Sequence, residues 1–457
     1  MAGVFRHWIC LGSVVAPTCN RGERPNGSHG CAQSFLSTYF TRWCSEDLRE
    51  EVGFPAGHSP RIAMLSLSFS LPFFTGTTMS DRRTFLKTGV VASAGAAALA
   101  QSATLVSAAE KDVAAEPNLI GQGDFRYRVQ KDWAQVNPVR TPIDNCHEMV
   151  QDSRGRLVMI GDDPRNNIIV FDKSGKVLDS WGTYWPGGHG LTLVNEGGED
   201  MLYVSESGWA RSLQDGVTMV RQNGYIAKMT IDGKMLFTIS HPMTVGAYSP
   251  EMVFQPTETA VAPNGDIYVA DGYGSDYILR YDQHGQFIQK FGGHENEDKN
   301  YNLANAHGIA LDNRDPANPK LIVTSRAQRA FKYFTLDGKW IKTVKLANLQ
   351  ICRPVIHGDH VYAGVCWSHN NADVNLPKPW LYQSGFIMVM DKHDRVVSCP
   401  GGEQPVYEDG VLQTVKQDQA RTFYHGHDVC IDEDESVYVC QWNGERTAPV
   451  KLERVSS

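Results

Sequence analysis

The chain reads as all-β, and three observations carry that reading. From about Asn118 onward, strand-length apolar or alternating runs are separated by Asp-Gly, Asn-Gly and Ser-Gly turns, with almost no long amphipathic helix. One phrase recurs in which a histidine leads an aliphatic stretch into a turn: His147-Glu-Met-Val-Gln-Asp, His189-Gly-Leu-Thr-Leu, His307-Gly-Ile-Ala-Leu-Asp and His427-Asp-Val-Cys-Ile-Asp. Unit starts near residues 147, 189, 257, 307, 354 and 427 define six repeats. A period of roughly 40–50 residues with four strands each is that of propeller blades. The predicted fold is therefore a six-bladed β-propeller of four-stranded antiparallel blades.

The elements follow in order. In the first unit the strand opened by His147 is followed by strands at 157–160, 168–171 and 177–181, with Asp-Lys-Ser-Gly175 as the last turn. The third repeats this cleanly at 259–261, 267–270, 277–281 and 287–291. The fourth runs from His307 to about Val344 and turns at Leu-Asp-Gly338. The second and fifth are less regular, and loops at 208–223 and 369–380 absorb the extra length. The propeller is assigned to residues 141–457, with 109–140 as a linker leading into it.

The N-terminal part has a different character. Met79-Ser-Asp-Arg-Arg-Thr-Phe-Leu-Lys87 precedes an uncharged Ala/Val/Gly-rich stretch and the small residues Val106-Ser-Ala108. Paired arginines, a mildly hydrophobic run and a small-residue exit are the pattern of a twin-arginine export signal over 79–108. Residues 1–78 lack periodicity and read as a disordered, mis-called extension upstream of a start at Met79. Their apolar run at 65–74 is short and interrupted by Ser and Pro, so it does not span a bilayer. The expected location is periplasmic or secreted, with no membrane span in the mature chain.

A net charge of −8 and the lack of a basic run in the β region argue against nucleic-acid binding. Six cysteines fall within the propeller: Cys146, Cys352, Cys366, Cys399, Cys430 and Cys440. No CxxC pair occurs among them, which disfavours zinc-ribbon and thioredoxin-type chemistry. Cys352/Cys366 and Cys430/Cys440 each flank a predicted turn, so cross-strand disulfides and buried thiols are both open.

In a propeller the first strand of each blade lines the central channel, so residues at equivalent positions meet at the axis. His189, His307 and His427 occupy that position in blades two, four and six. Any one of them alone reads as a turn residue bonded to backbone. Three in phase read as a zinc site, because neutral imidazole suits that ion and three protein ligands leave a coordination position open. His147 in the first blade and His425, two residues before His427, are additional candidates for the metal shell or the channel wall.

At this point the chain resembles a known family. Gln255-Pro-Thr257 through Gln-Lys-Phe-Gly292, centred on Ala270-Asp-Gly-Tyr273, is similar to the third blade of the peptidyl-α-hydroxyglycine α-amidating lyases, six-bladed propellers of the NHL-repeat type. The similarity continues through Ala306-His-Gly-Ile-Ala-Leu311, Val323-Thr-Ser-Arg-Ala-Gln-Arg329 and Gly426-His-Asp-Val429. By that resemblance His189, His307 and His427 are zinc ligands, Tyr273 is the catalytic tyrosine and Arg326 an active-site arginine. Arg165 is the nearest candidate for a second, first-blade arginine. Asp428, with the backbone carbonyls of Met149 and Leu191, is implied to hold a structural calcium.

The chain also departs from the pattern. Gly274 stands where animal members have a disulfide cysteine, His425 stands where they have a methionine, and no companion monooxygenase domain is present. The resemblance implies cleavage of a carbinolamide, in a small-molecule or peptide substrate bearing a carboxylate, to an amide and glyoxylate. Two other readings differ in class. A non-catalytic NHL-type propeller would bind a peptide, glycan or protein on its loop-rich face. A calcium-dependent, lactonase-like hydrolase would favour Glu, Asp and Asn at the channel mouth over histidines. Oligomeric state is left open.

Overall fold

The computed structural model describes residues 118–455, apart from residue 213 and residues 215–217 and 369–382. The export-signal region and the segment before it therefore lie outside the described residues. Five four-stranded antiparallel sheets and one five-stranded sheet account for nearly all the regular structure. They are six propeller blades, as the repeat predicts.

The first four blades begin with inner strands Cys146–Gln151, Gly188–Glu196, Glu258–Val261 and Ala306–Asp312. Those of the fifth and sixth are Gln350–His357 and Gly426–Ile431. Blade six is composite. Its C-terminal strand Val450–Arg454 pairs with Phe125–Gln130 from the N-terminal side, with Val129 opposite Leu452, and Leu119–Gln122 adds a fifth, outermost strand. The segment expected as a linker thus contains the strands that close the ring. That pairing covers a blade edge that would otherwise expose unpaired backbone groups.

Blade-to-blade packing supplies the cores. The second strands Leu157–Gly161 and Ile267–Ala270 are buried along their whole length, as expected of strands covered on both faces. Ile160, Ile168 and Val170 of blade one pack with Leu202, Val204 and Ala227 of blade two. Ile226 of blade two packs with Val269 and Leu279 of blade three. Each such aliphatic side chain contributes about 1.5–3 kcal/mol when fully removed from water. The turns are built by aspartates that accept from the backbone two and four residues on: Asp172 from Ser174 and Lys176, Asp282 from His284 and Gln286, Asp432 from Asp434 and Ser436. Among the described residues no helix is long and apolar enough to cross a membrane.

Candidate metal centre

A local irregularity aims the histidines. In blades one, two and six the ladder shifts register at one residue, so that Cys146 and Glu148 face Gly161 and Ile160, Gly188 and Gly190 face Glu206 and Ser205, and Gly426 and Asp428 face Gln441 and Cys440. The extra residue is His147, His189 or His427. Blade four has the same shift between Ala306 and Ile309, where His307 lies. A β-bulge of this kind re-aims a side chain that the ladder would otherwise place on a blade face. Glycine follows the histidine in blades two and four because the next inner strand crosses there. A Cβ on Gly308 would lie 2.6 Å from Arg353 Cα, and one on Gly190 would lie 2.6 Å from the Thr257 carbonyl oxygen.

The bulges bring four buried imidazoles together. His189 lies 4.7 Å from His307, 4.9 Å from His427 and 4.8 Å from His147, measured between ring centroids, and His307 lies 5.0 Å from His427. Backbone acceptors orient two of them. His189 Nδ1 donates to Thr257 O at 2.8 Å and His427 Nδ1 donates to His147 O at 2.9 Å, which leaves each Nε2 as a lone-pair donor. His147 is held through its other nitrogen, with Nε2 donating to Asp162 Oδ2 at 3.1 Å. Asp162 in turn accepts from the Asn145 backbone N–H at 2.9 Å and its side-chain amide at 2.8 Å. Carboxylate-held imidazoles of this kind are common around metals.

Within the cluster three buried imidazole nitrogens have no hydrogen-bond partner: His147 Nδ1, His307 Nδ1 and His427 Nε2. An unpaired buried polar atom costs about 1–3 kcal/mol, and a cation accepting the lone pairs would remove that cost. His147, His189 and His427 form one set of mutually close ligand atoms, and His307, Cys352 and His427 form another. Burial holds His189, His307 and His427 well below the usual imidazole value, with neighbouring positive groups adding to the effect. They are neutral near pH 7, which is the ligating form. The donor set fits a metal ion.

Tyr273 stands over this cluster, its hydroxyl 3.1 Å from His189 Nε2 and 3.0 Å from His307 Nε2. Asp271 anchors its loop, accepting from the backbone N–H groups of Gln255 and Ser275 and from the Tyr248 hydroxyl. A Cβ on Gly274 would lie 2.2 Å from Asp271 Oδ1, so a cysteine there requires a different loop. Burial pushes the Tyr273 phenol up to about 12 although Arg326 pulls it down. Arg326 is buried on a short 3-10 turn, Arg326–Gln328. Its guanidinium carbon is 5.9 Å from the Tyr273 ring centroid and 5.1 Å from that of Trp367. Nε donates to Asn305 Oδ1 at 2.5 Å and Nη1 to Cys352 Sγ at 3.7 Å.

Two sequence-predicted positions fall elsewhere. The Arg165 side chain is 63% exposed and pairs with Asp163 two residues away, at 2.7 and 2.9 Å, so it is a surface loop pair with no contact to the cluster. His425 donates from Nδ1 to Cys366 O at 2.8 Å and packs against Trp442 and Trp367, outside the four-ring contacts. The calcium expectation meets a different occupant. Arg353 donates to Leu191 O at 2.8 Å, to Met149 O at 3.2 Å and to both Asp428 oxygens at 3.0 and 2.8 Å. Those acceptors do not fit a calcium ion while a guanidinium fills the space between them.

The described cysteines are free buried thiols. Cys430 faces Tyr438 and Cys440 faces Asp428, so the second candidate pair is out of register. Sequence reasoning missed Asp162, Arg353, and Cys352 as a neighbour of the metal site. Of these only Arg353 is adjacent to acids with a legible signal, Glu148 and Asp428, each of which directly follows an axial histidine.

No protein-family model matches the chain. Among curated proteins it is similar to peptidyl-alpha-hydroxyglycine alpha-amidating lyase 1 of Drosophila melanogaster, 27% identical over 207 residues, which is 44% of this chain and 33% of that protein. It is also 27% identical over 148 residues to the probable peptidyl-alpha-hydroxyglycine alpha-amidating lyase pgal-1 of Caenorhabditis elegans, covering 32% of this chain and 37% of that one. The chain thus spans about a third of the length of these relatives, and it is a six-bladed propeller with weak homology to amidating-lyase-like proteins. Among solved structures, a streptogramin B lyase aligns over 72% of this chain and 97% of its own at 14% identity, with a TM-score of 0.41. A gluconolactonase from Xanthomonas campestris aligns over 72% and 90%, also at 14% identity, with a TM-score of 0.44.

Proposed function

We propose that the axial histidines hold zinc and that the site cleaves a carbinolamide of the α-hydroxyglycine type into an amide and glyoxylate. One observation carries this reading. The Tyr273 hydroxyl lies within 3.1 Å of two of the clustered imidazoles while the Arg326 guanidinium stacks near the same ring. The weak similarity to two amidating lyases supports it.

The chemistry asks little of the protein beyond positioning. The substrate N–CH(OH)–COO⁻ must lose its hydroxyl proton, form a C=O bond from that oxygen, and break C–N with the electron pair leaving on nitrogen. Nitrogen then takes up a proton, so the reaction is balanced without a co-reactant. When bound, zinc supplies Lewis-acid polarisation of the hydroxyl and favours its ionised form. Tyr273, as the phenolate that a bound cation together with Arg326 would favour, is placed to take the hydroxyl proton and return it to the departing amide nitrogen. Arg326, buried and permanently charged, is the group that binds the carboxylate. Trp367 at 5.1 Å from Arg326 walls that side and limits water.

We place this activity outside the cytoplasm, on the twin-arginine pattern around Arg82-Arg83. The test is release of glyoxylate and amide in equal amounts from an N-acyl-α-hydroxyglycine by zinc-loaded protein. Failure of every carbinolamide tried, with the metal site demonstrably full, would replace this reading with the non-catalytic binding propeller.

A further inference from the structure

We propose that the Arg353 guanidinium is a built-in substitute for an axial metal cation, so that closure of the channel beneath the histidines is independent of calcium. The inference does not rest on the lyase reading. It rests on how completely one side chain satisfies a cage of oxygens drawn from several blades.

Arg353 comes from the irregular inner strand of blade five, where the ladder shifts between Ile351 and Pro354. A guanidinium has five N–H donors; four of them hydrogen-bond here, and Glu148 adds a carboxylate oxygen at ion-pair distance. Nε faces Asp428 Oδ1 at 3.0 Å, and Nη2 faces Asp428 Oδ2 at 2.8 Å and Met149 O at 3.2 Å. Nη1 faces Leu191 O at 2.8 Å and Glu148 Oε2 at 3.1 Å. Glu258 of blade three adds a third carboxylate, 3.8 Å from Nε. Carboxylates and carbonyls arranged in this way are the ligands of a hard cation such as calcium, which takes six to eight oxygens at about 2.3–2.6 Å. The guanidinium carbon and nitrogens occupy the volume that ion needs, and two positive charges would not share it.

The same acids also stitch the blades to one another. Asp428 Oδ2 accepts from the Met149 N–H at 2.9 Å, and Glu148 Oε2 accepts from the Leu191 N–H at 2.7 Å. Glu148 and Asp428 directly follow His147 and His427, and Leu191 lies two residues beyond His189. The charge supplied by Arg353 therefore sets the spacing of three histidine-bearing strands. Further along those strands a cavity of about 580 Å³ is lined by all six blades, and Arg353 is among the residues that bound it. Arg353 is thus a positioning residue for the metal centre, placed between that centre and the cavity.

The experiment compares the unmodified protein with Arg353→Ser and Arg353→Lys. Each is stripped with chelator, reloaded with the same zinc, and then melted and titrated with calcium or magnesium chloride. The unmodified protein should take up no calcium, and its Tm should not move. Arg353→Ser leaves three carboxylates and two carbonyls facing one another, so it should melt lower. It should bind about one calcium per chain, regaining roughly 5 °C or more at calcium well above its dissociation constant, with magnesium ineffective. Arg353→Lys, which retains a positive charge, should remain blind to calcium. Calcium uptake or a calcium-dependent Tm in the unmodified protein would overturn the proposal, even if Arg353→Ser failed to fold. A folded Arg353→Ser variant indifferent to calcium would overturn it as well.

Discussion

Replacing Asp162 by asparagine separates a metal-holding role for His147 from a merely structural one. Asp162 has three donors to satisfy, the Asn145 backbone N–H, the Asn145 side-chain amide and His147 Nε2, at 2.9, 2.8 and 3.1 Å. Burial pushes its carboxyl up, but His147 and Asn145 outweigh that and hold it below the usual carboxylate range. Asparagine keeps the shape but offers one oxygen and one NH₂. If the oxygen remains with the Asn145 backbone, the NH₂ faces His147 Nε2, which must then accept. The His147 proton moves to Nδ1, and the lone pair aimed into the cluster is lost. Loss of an oriented carboxylate–histidine pair typically weakens metal binding about 10–100-fold, which is about 1.4–2.7 kcal/mol. Loss of the charged hydrogen bond should cost about 1.5–3 kcal/mol of folding stability. Competition against a coloured chelator at neutral pH reads the first effect, and a denaturant midpoint on metal-free protein reads the second. A variant that loses stability but binds zinc as tightly as before would refute the assignment of His147 to the metal shell.

Other expectations follow from the same geometry. Tyr273→Phe should lower glyoxylate release by about 10²–10⁴-fold, the usual contribution of a positioned proton-transfer group, with zinc content unchanged; an equal loss of zinc would make Tyr273 a ligand-shell residue instead. Metal-free protein should lose stability as pH falls below about 6.5, because the unfolded chain takes up protons that the buried His189, His307 and His427 refuse. Each such histidine contributes about 1.4 kcal/mol per pH unit in that window, so denaturation curves of His307→Gln should show a shallower acid slope, and an unchanged slope would count against its buried neutral state. Expressed from Met79 in a bacterium with a working twin-arginine system, the protein should reach the periplasm, and Arg82→Lys with Arg83→Lys should keep it in the cytoplasm; equal export of both in a fractionation experiment would sink that reading.

What the sequence made legible was whatever repeats. Six strand-turn-strand units and the in-phase histidines of blades two, four and six are periodic, and the structure has those blades and brings those rings within 5.0 Å of one another. His147 is equally in phase, and the sequence offers it only as an additional candidate. The register shift in blade one, which the hydrophobic pattern does not encode, brings it in. Arg353 was hidden for a related reason. It sits in a double irregularity of the most weakly marked blade, where neither strand period nor phrase identifies an inward side chain. Arg165 is implied only by a loose resemblance within the first blade, and a loop residue paired with Asp163 two positions away has no reason to reach the axis. Ring closure by Phe125–Gln130 was illegible because the partner strand is more than three hundred residues distant.

The central claim is that the clustered axial imidazoles hold one metal ion. Its most direct measurement is the metal content of protein purified without a histidine tag, beside that of His189→Ala, His307→Ala and His427→Ala. The geometry predicts about one zinc per chain in the parent protein, the stoichiometry of an open three-histidine site. It predicts substantial loss of zinc in each variant while the β-sheet circular dichroism is retained. Undiminished zinc in all three variants, or a parent protein that binds none at saturating zinc, would contradict it.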